Sequence, residues 1–325
     1  LTTPGYRDIL GGFIELTVFS EAQAHMTGTI HYEQIECKTL LHRIDSSYLP
    51  FRWDINPYRG CVHSCVYCYA RYSHEYLGLN AGADFEQHIR FKLNAAQVLR
   101  HELTHPRWRH EMVHIGGVCD PYQPAEAKYH ITRDVLQVLA DKRNPVTVGT
   151  KGALVARDAD VLGKLAKEAH VSVLFSITTL DAELARKLEP RASLPEQRLQ
   201  AMATLAAAGV VVGILLMPIL PHLTDSVASL DAVIRAARDH GAQFAIPGVL
   251  GLRRSARERF MPFLQAEFPA LKLAYVRLYR QSSPPPEVGR ALYERARDLC
   301  RQVGLPLDYA FPLPPDEPRQ LALGL

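Results

Sequence analysis

Gly60-Cys61-Val62-His63-Ser64-Cys65-Val66-Tyr67-Cys68-Tyr69 is the stretch that decides how the rest of the chain is read. It holds three of the six cysteines, spaced C-x3-C-x2-C, while Cys37, Cys119 and Cys300 stand alone. Thiolates are the usual ligands of iron–sulfur clusters, and three of them leave one iron of a four-iron cluster without a protein partner. An open position of that kind separates a catalytic metal site from a closed structural one. Gly60 lets the backbone run close to a cluster or take a positive φ. Two plainer readings compete. A zinc site would need a fourth ligand, for which His63 or His74 is available, but no second cysteine pair follows. The cysteines could also be small buried hydrophobes gathered by chance.

Outward from this stretch, composition sets the frame. The chain has 325 residues, 47% of them hydrophobic, enough for a large domain with small additions. A formal charge of +3 permits a nucleic-acid partner without announcing one. A secreted disulfide scaffold would be shorter and richer in cysteine. The longest apolar run, 209–220, is broken by Pro218 and reads as a buried strand rather than a membrane span. No leader pattern opens the chain, so the expectation is a cytoplasmic protein without a membrane partner.

From Trp53 onward, short apolar runs alternate with helical stretches. Strands are expected at 53–58, 112–118, 146–150, 171–177, 210–217 and 243–249, several rich in Val and Ile, as strands buried on both faces are. Helical spacing marks 95–103, 132–142 and 158–169. Ser193 with Glu196 suggests a capping box, and Thr224 or Asp225 a second N-cap. Regular alternation implies parallel strands with right-handed crossovers. The expected class is α/β, an incomplete (β/α)6 barrel with N- and C-terminal additions; an open sheet covered on both faces is the alternative. The divisions are 1–50, 51–252 and 253–325. Residues 18–35 suggest a small sheet or hairpin, and 287–301 a last helix. In either architecture the site lies beyond the C-terminal strand ends.

C-x3-C-x2-C after a first strand, with Tyr67 before the third cysteine, resembles the radical S-adenosylmethionine superfamily. The runs Asn56-Pro57-Tyr58-Arg59-Gly60-Cys61 and Asp120-Pro121-Tyr122-Gln123-Pro124 resemble its spore photoproduct lyase-like branch. The resemblance spans roughly 45–250. It implies a [4Fe–4S] cluster on Cys61, Cys65 and Cys68 whose fourth iron holds S-adenosylmethionine. It also implies reductive cleavage to a 5′-deoxyadenosyl radical and hydrogen abstraction from a substrate. The branch points to a nucleic-acid lesion or nucleotide, in DNA or RNA, and the chemistry to an electron donor such as flavodoxin or ferredoxin. A peptide or small-molecule substrate is the enzyme alternative; a non-catalytic iron–sulfur or zinc protein binding nucleic acid is the other.

The resemblance also nominates single residues. Tyr67, Gly116, Gly117, Lys151 and Ser176 become cofactor-binding candidates. The superfamily's Gly-Gly-Glu motif has Val118 in place of the acid here. Lys151 and Ser176 sit at strand ends where the lyases contact S-adenosylmethionine; a solvated lysine and a satisfied hydroxyl are the plain readings. Cys119 is the candidate hydrogen donor. The lyases' own cysteine aligns nearer Gly117, and residues two apart on a strand share a face. Packing is the preferred reading of Cys119. Glu189, Arg191 and Ser193 form a polar turn, read as a helix-end salt bridge. Tyr275, Arg277, Tyr279 and Arg280 read as a half-exposed strand, with phosphate and base contact as the alternative. Arginines 253–259 read as a solvated helix face.

Overall fold

Strands rich in β-branched residues and separated by helix-length segments have one economical way to hide both faces. They pair in parallel under a layer of helices. The computed structural model, which describes residues 29–46, 49–307 and 309, takes this course. The main strands are β3 (Trp53–Ile55), β6 (Val113–Ile115), β7 (Val146–Thr150), β8 (Val171–Ser176), β9 (Val211–Ile219) and β10 (Phe244–Val249). They lie side by side in chain order and all parallel, with β2 (His42–Arg43) antiparallel at the β3 edge. The helices between them are α2 (Ala95–Leu103), α3 (Glu126–Tyr129), α4 (Ile131–Asp141), α5 (Ala159–Ala166), α6 (Ala182–Leu188), α7 (Pro195–Ala207) and α8 (Val227–Asp239). This is an incomplete β/α barrel of six parallel strands.

The outer face of the sheet forms the core. Val113, Ile115, Val148, Val173, Ile214 and Leu216 are buried in one apolar cluster with helix residues such as Leu99, Leu139, Leu162 and Leu205. Full burial of each such side chain contributes about 1.5–3 kcal/mol. The alternate residues point the other way, into the concave side.

A small second sheet was expected around 18–35, but its pairing was not. β1 (His31–Ile35) runs parallel to β5 (His88–Lys92), and β4 (Tyr58–Arg59) pairs antiparallel with β5. The expected strand 53–58 is therefore divided: β3 joins the barrel and β4 joins this small sheet, with Asn56 and Pro57 at the break. β1 lies within the expected hairpin 18–35 but pairs with β5 instead; residues 18–28 lie outside the described residues. The helix α1 (Ala83–Gln87) leads into β5.

Beyond the barrel come α9 (Arg254–Glu267), α10 (Lys272–Leu278) and α11 (Pro286–Gln302). The expected strand at 275–280 is a helix and its C-terminal turn. Tyr275 and Tyr279, four residues apart, fall on one helical face, are fully buried, and stack with ring centroids 5.5 Å apart. Tyr275 donates to the Pro221 carbonyl at 2.7 Å. Two expected caps also differ. Leu194 is the N-cap of α7, and its N–H is closed by the Gln197 side chain, while the Ser193 hydroxyl accepts from the Ala153 N–H. Ser226 caps α8 by accepting from the Ser229 N–H; Thr224 and Asp225 accept from Leu220 and His222 within the preceding turn. Among the described residues no helix is long and apolar enough to cross a membrane.

Candidate active site

The cysteine loop sits over the C-terminal mouth of the barrel. Cys65, Val66 and Tyr67 pack with Leu188, with Leu220 just beyond β9, and with Leu250 just beyond β10. Cys68 packs both with this group and with the group holding Cys61, Ala70 and Phe85, so it joins the two flanks of the loop. Cys61 and Cys65 are buried and Cys68 is half-buried; all are free thiols.

Backbone bonds fix the path of the loop. The Cys61 N–H donates to Phe85 O at 2.9 Å, Val66 to Leu188 O at 3.0 Å, and Cys68 to Cys65 O at 3.2 Å. Gly60 has φ +79°, and a Cβ there would meet the Phe85 carbonyl oxygen at 2.9 Å. Both its dihedral and its surroundings therefore require glycine.

Side chains complete the clasp. Gln123, fully buried, donates from Nε2 to Gly60 O at 3.1 Å and accepts from the Val62 N–H at 3.0 Å. Asn56 accepts from the Val118 N–H at 2.8 Å. Arg71, fully buried, donates to Cys65 O at 3.0 Å and pairs with Glu86. Asp120 gathers the strand ends. It accepts from the Thr150 hydroxyl and the Lys151 N–H, each at 2.7 Å, and from the Tyr122 N–H at 2.9 Å. His63 Nδ1 lies 3.3 Å from it. Burial works against its charge, but His63 and these donors outweigh it and hold the carboxyl well below the usual carboxylate range.

Charge around the thiols is arranged for an anion. Burial pushes all three thiols up, reinforced at Cys61 by Asp120 and the other two sulfurs. Lys151 opposes this at Cys65 and Cys68, joined by Arg198 at Cys65 and by Arg71 at Cys68. Lys151 Nζ lies 5.6 Å from the centroid of the Tyr67 ring. The Tyr67 hydroxyl donates to Glu189, which pairs with Arg198; both members of that pair are buried. Glu189 stays ionised below its ordinary range because Arg198 and Lys151 outweigh the effect of burial. Glu189 was expected, with Arg191 and Ser193, in a helix-end salt bridge; it instead forms a buried ion pair with Arg198.

The nominated residues are thus partly brought together. Tyr67 and Lys151 meet beside Cys65. Ser176 ends β8, and its hydroxyl donates to Met217 O at 2.8 Å. Gly116 and Gly117 form the turn after β6: a Cβ on Gly116 would meet Gly149 O at 2.7 Å, and one on Gly117 would meet Asp54 Oδ2 at 2.4 Å. Cys119 lies in the bend after β6, not on the strand, so an argument from strand faces does not place it. It is buried in the main core, with Sγ 3.6 Å from Asn56 Oδ1, and burial pushes its thiol up to about 12.

Several functional neighbours were missed by sequence reasoning. Asp54 is buried beneath Gly117, whose N–H it accepts at 3.3 Å, and burial raises its carboxyl to about 7. Arg71 and Arg198 carried no motif. Asn56, Asp120 and Gln123 did lie in the two quoted runs, and the structure shows why: the runs bond to each other across the mouth.

Fold and site together define a partial-barrel enzyme with a thiol-bearing loop over its mouth. The family model described as the radical SAM superfamily matches residues 55–238. The chain belongs to the radical SAM superfamily. A Mycobacterium tuberculosis protein, described as uncharacterised, is 37% identical over 309 residues, covering 94% of this chain and 91% of its own. A Methanocaldococcus jannaschii protein, likewise uncharacterised, is 28% identical over 174 residues, covering 54% of this chain and 62% of its own. Among solved structures, spore photoproduct lyase complexed with dinucleoside spore photoproduct superposes with a TM-score of 0.64 at 17% identity, covering 86% of this chain and 82% of that one. The chain shares that fold. Family membership implies a [4Fe–4S] cluster and S-adenosylmethionine, and a radical enzyme that cleaves the latter.

Proposed function

We propose that Cys61, Cys65 and Cys68 hold the cluster and that the enzyme acts on a nucleic-acid lesion or a modified nucleotide. One observation carries the site assignment: two buried thiols and a half-buried third lie close enough to act on one another electrostatically over the mouth of a parallel partial barrel, with Lys151, Arg71 and Arg198 near them. The donor set fits the group. Among the described residues no three His, Cys, Asp or Glu side chains are gathered tightly enough to share a single ion. A four-iron cluster asks something different, since each thiolate meets its own iron. The nearby cations offset the charge of three thiolates and an anionic cluster.

When bound, the cluster and S-adenosylmethionine supply the 5′-deoxyadenosyl radical. The protein's own residues orient and enclose. Gln123 and Arg71 fix the loop backbone, and Asn56 holds the bend after β6 beside it. Tyr67 is held by Glu189, and Lys151 stands over its ring, where its ammonium suits a ligand carboxylate. Gly116 and Gly117 would let backbone approach the bound cofactor. Ser176 retains acceptor capacity while its proton is used on Met217. An electron donor such as flavodoxin or ferredoxin completes the system. Cys119 serves packing; its candidacy for returning hydrogen is tested by Cys119→Ala, and unchanged product partition removes it.

The substrate class is supported by the shared fold of the photoproduct lyase and the mildly basic charge. The test is anaerobic reconstitution followed by reduction. Formation of 5′-deoxyadenosine and methionine is expected, and a fully loaded protein that forms neither overturns the radical reading. Salt-dependent binding of DNA or RNA is expected for a polyanionic substrate. Its absence, with cleavage intact, moves the substrate to a small molecule.

A further inference from the structure

The lobe that follows the barrel carries the molecule's surplus of positive charge. Between Arg253 and Arg280 there are seven arginines and lysines and two glutamates, while the formal charge of the whole chain is only +3. The remainder of the chain therefore holds slightly more acid than base. Folding gathers these cations. The Leu252 N–H donates to Ser282 O at 2.6 Å, and Arg257 donates to Tyr279 O, so the start of α9 lies against the end of α10. Arg253 and Arg280 flank these two bonds.

Arg253, Lys272, Arg277 and Arg280 are exposed, and none of them forms an ion pair among the described residues. Other surface arginines, such as Arg100, Arg133 and Arg235, each meet an aspartate at 2.7 Å. The outer face of α10 also shows apolar side chains. Leu273 is 68% exposed and Val276 41%, against full burial of Tyr275. Leu273, Val276 and Arg277 follow the i, i+3, i+4 spacing and so share one face, with Lys272 one turn from Val276. An apolar centre rimmed by unpaired cations has the composition of a protein-docking surface.

The buried side of the same lobe reaches the cysteine loop. Phe260, Leu264, Tyr275 and Tyr279 belong to one apolar group with Cys65, Val66 and Tyr67. Arg259 of α9 lies 3.3 Å from Glu86, which pairs with Arg71, and Arg71 donates to Cys65 O. A partner on the outer face of α10 is thus separated from Cys65 by one helix and one apolar group. Tyr275 donates inward to Pro221 O, just beyond β9, so the outer face turns away from the strand ends and leaves the mouth free.

We propose that the outer face of α10, with Arg253 beside it, docks the electron donor, a small acidic protein carrying a one-electron flavin or iron–sulfur group. In the encounter one electron passes to the cluster. The donor is oxidised by one equivalent, the cluster is reduced by one, and no bond or proton moves. Charge complementarity selects an acidic surface and speeds the encounter. The small apolar centre suits the small interfaces of transient redox complexes, which must release the donor after each transfer. A nucleic acid would use the cations but leave Leu273 and Val276 without an apolar partner. The inference rests on the assignment of the cluster to Cys61, Cys65 and Cys68.

The test uses the cluster-loaded protein and two probes, a bacterial flavodoxin and an acidic ferredoxin. Binding of the oxidised probes is read by surface plasmon resonance, apart from activity. Cleavage of S-adenosylmethionine is then driven either by a reduced probe or by dithionite, which needs no docking surface. Arg277→Glu combined with Arg280→Glu is expected to slow association at least about tenfold, and Leu273→Ser to speed dissociation, while association of the parent slows as salt rises. Cleavage driven by the reduced probe should fall by a similar factor at low donor concentration, and dithionite-driven cleavage should stay at the parental rate. Parent-like binding by the charge-reversed protein overturns the proposal, and so does a parent that binds neither probe. An equal loss with dithionite overturns it too, by marking the arginines as structural. If the variants lose affinity for a DNA oligonucleotide but keep it for both probes, the patch belongs to nucleic acid and the proposal fails. If dithionite drives no cleavage in the parent, the radical reading fails, while the binding series still decides the docking surface.

Discussion

Removing the charge of Glu189 is the sharpest perturbation of the site. The carboxylate and the Arg198 guanidinium are each only 1% exposed. Glu189→Gln leaves a buried cation without a counter-charge, which destabilises by about 3–5 kcal/mol. For a chain of this size that lowers Tm by about 4–7 °C. Arg198→Met leaves the opposite charge unpaired and also removes donors from Ser176 O at 2.7 Å and Ser193 O at 2.8 Å. It should therefore cost more than Glu189→Gln. The double variant buries no unmatched charge from this pair and loses only those carbonyl partners. Its loss should fall short of the sum of the single losses by at least about 2 kcal/mol. Urea denaturation of the four proteins measures this directly. Additivity within about 0.5 kcal/mol would refute the claim that the pair acts as a unit beneath the cysteine loop. Iron content after reconstitution supplies a second readout, because Tyr67, in the loop, hangs on the same carboxylate.

Other outcomes follow from single contacts. Gln123→Leu strips partners from Gly60 O and the Val62 N–H, so the loop should loosen by about 1–3 kcal/mol and reconstituted iron should fall; unchanged iron and unchanged proteolysis at the loop would contradict the clasp. Gly117→Ala forces a Cβ within 2.4 Å of Asp54 Oδ2 and should destabilise by about 1–3 kcal/mol, with Asp54→Ala in the same chain restoring part of it. Asp54 keeps its proton up to about 7 when folded, against 3.8 ordinarily. As pH rises from about 4 to 7 the unfolded chain ionises first, so folding loses up to about 4 kcal/mol. Asp54→Asn should accordingly gain stability relative to the parent at pH 7.5 but not at pH 4; a difference independent of pH would exclude this account.

The main strands and the cysteine loop were legible because their signals are local. Val and Ile runs mark strands buried on both faces, and three thiols in eight residues need no distant partner to be noticed. The parts that were missed depend on pairing across the chain. Nothing around residue 56 announces that β3 and β4 leave for different sheets, since β5 supplies the partner from more than thirty residues away. Tyr275 to Arg280 alternates like a strand, yet a spacing of four also puts both tyrosines on one helical face. Burial of both rings decides for the helix. Glu189 looked like a helix-end charge because sequence spacing does not report depth, and Arg198, its partner, gave no signal.

The clasp around the cysteine loop has a consequence for the life of the enzyme. Gln123 and Arg71 hold the loop through its carbonyls and amides, not through sulfur. None of these bonds needs iron to form. A chain held in this way is expected to fold first and be charged afterwards, as a late step of maturation. The same bonds predict that a molecule stripped of its cluster keeps the nest, so that iron and sulfide alone restore it; loss of the far-UV and near-UV circular dichroism of the folded chain on chelation would contradict this.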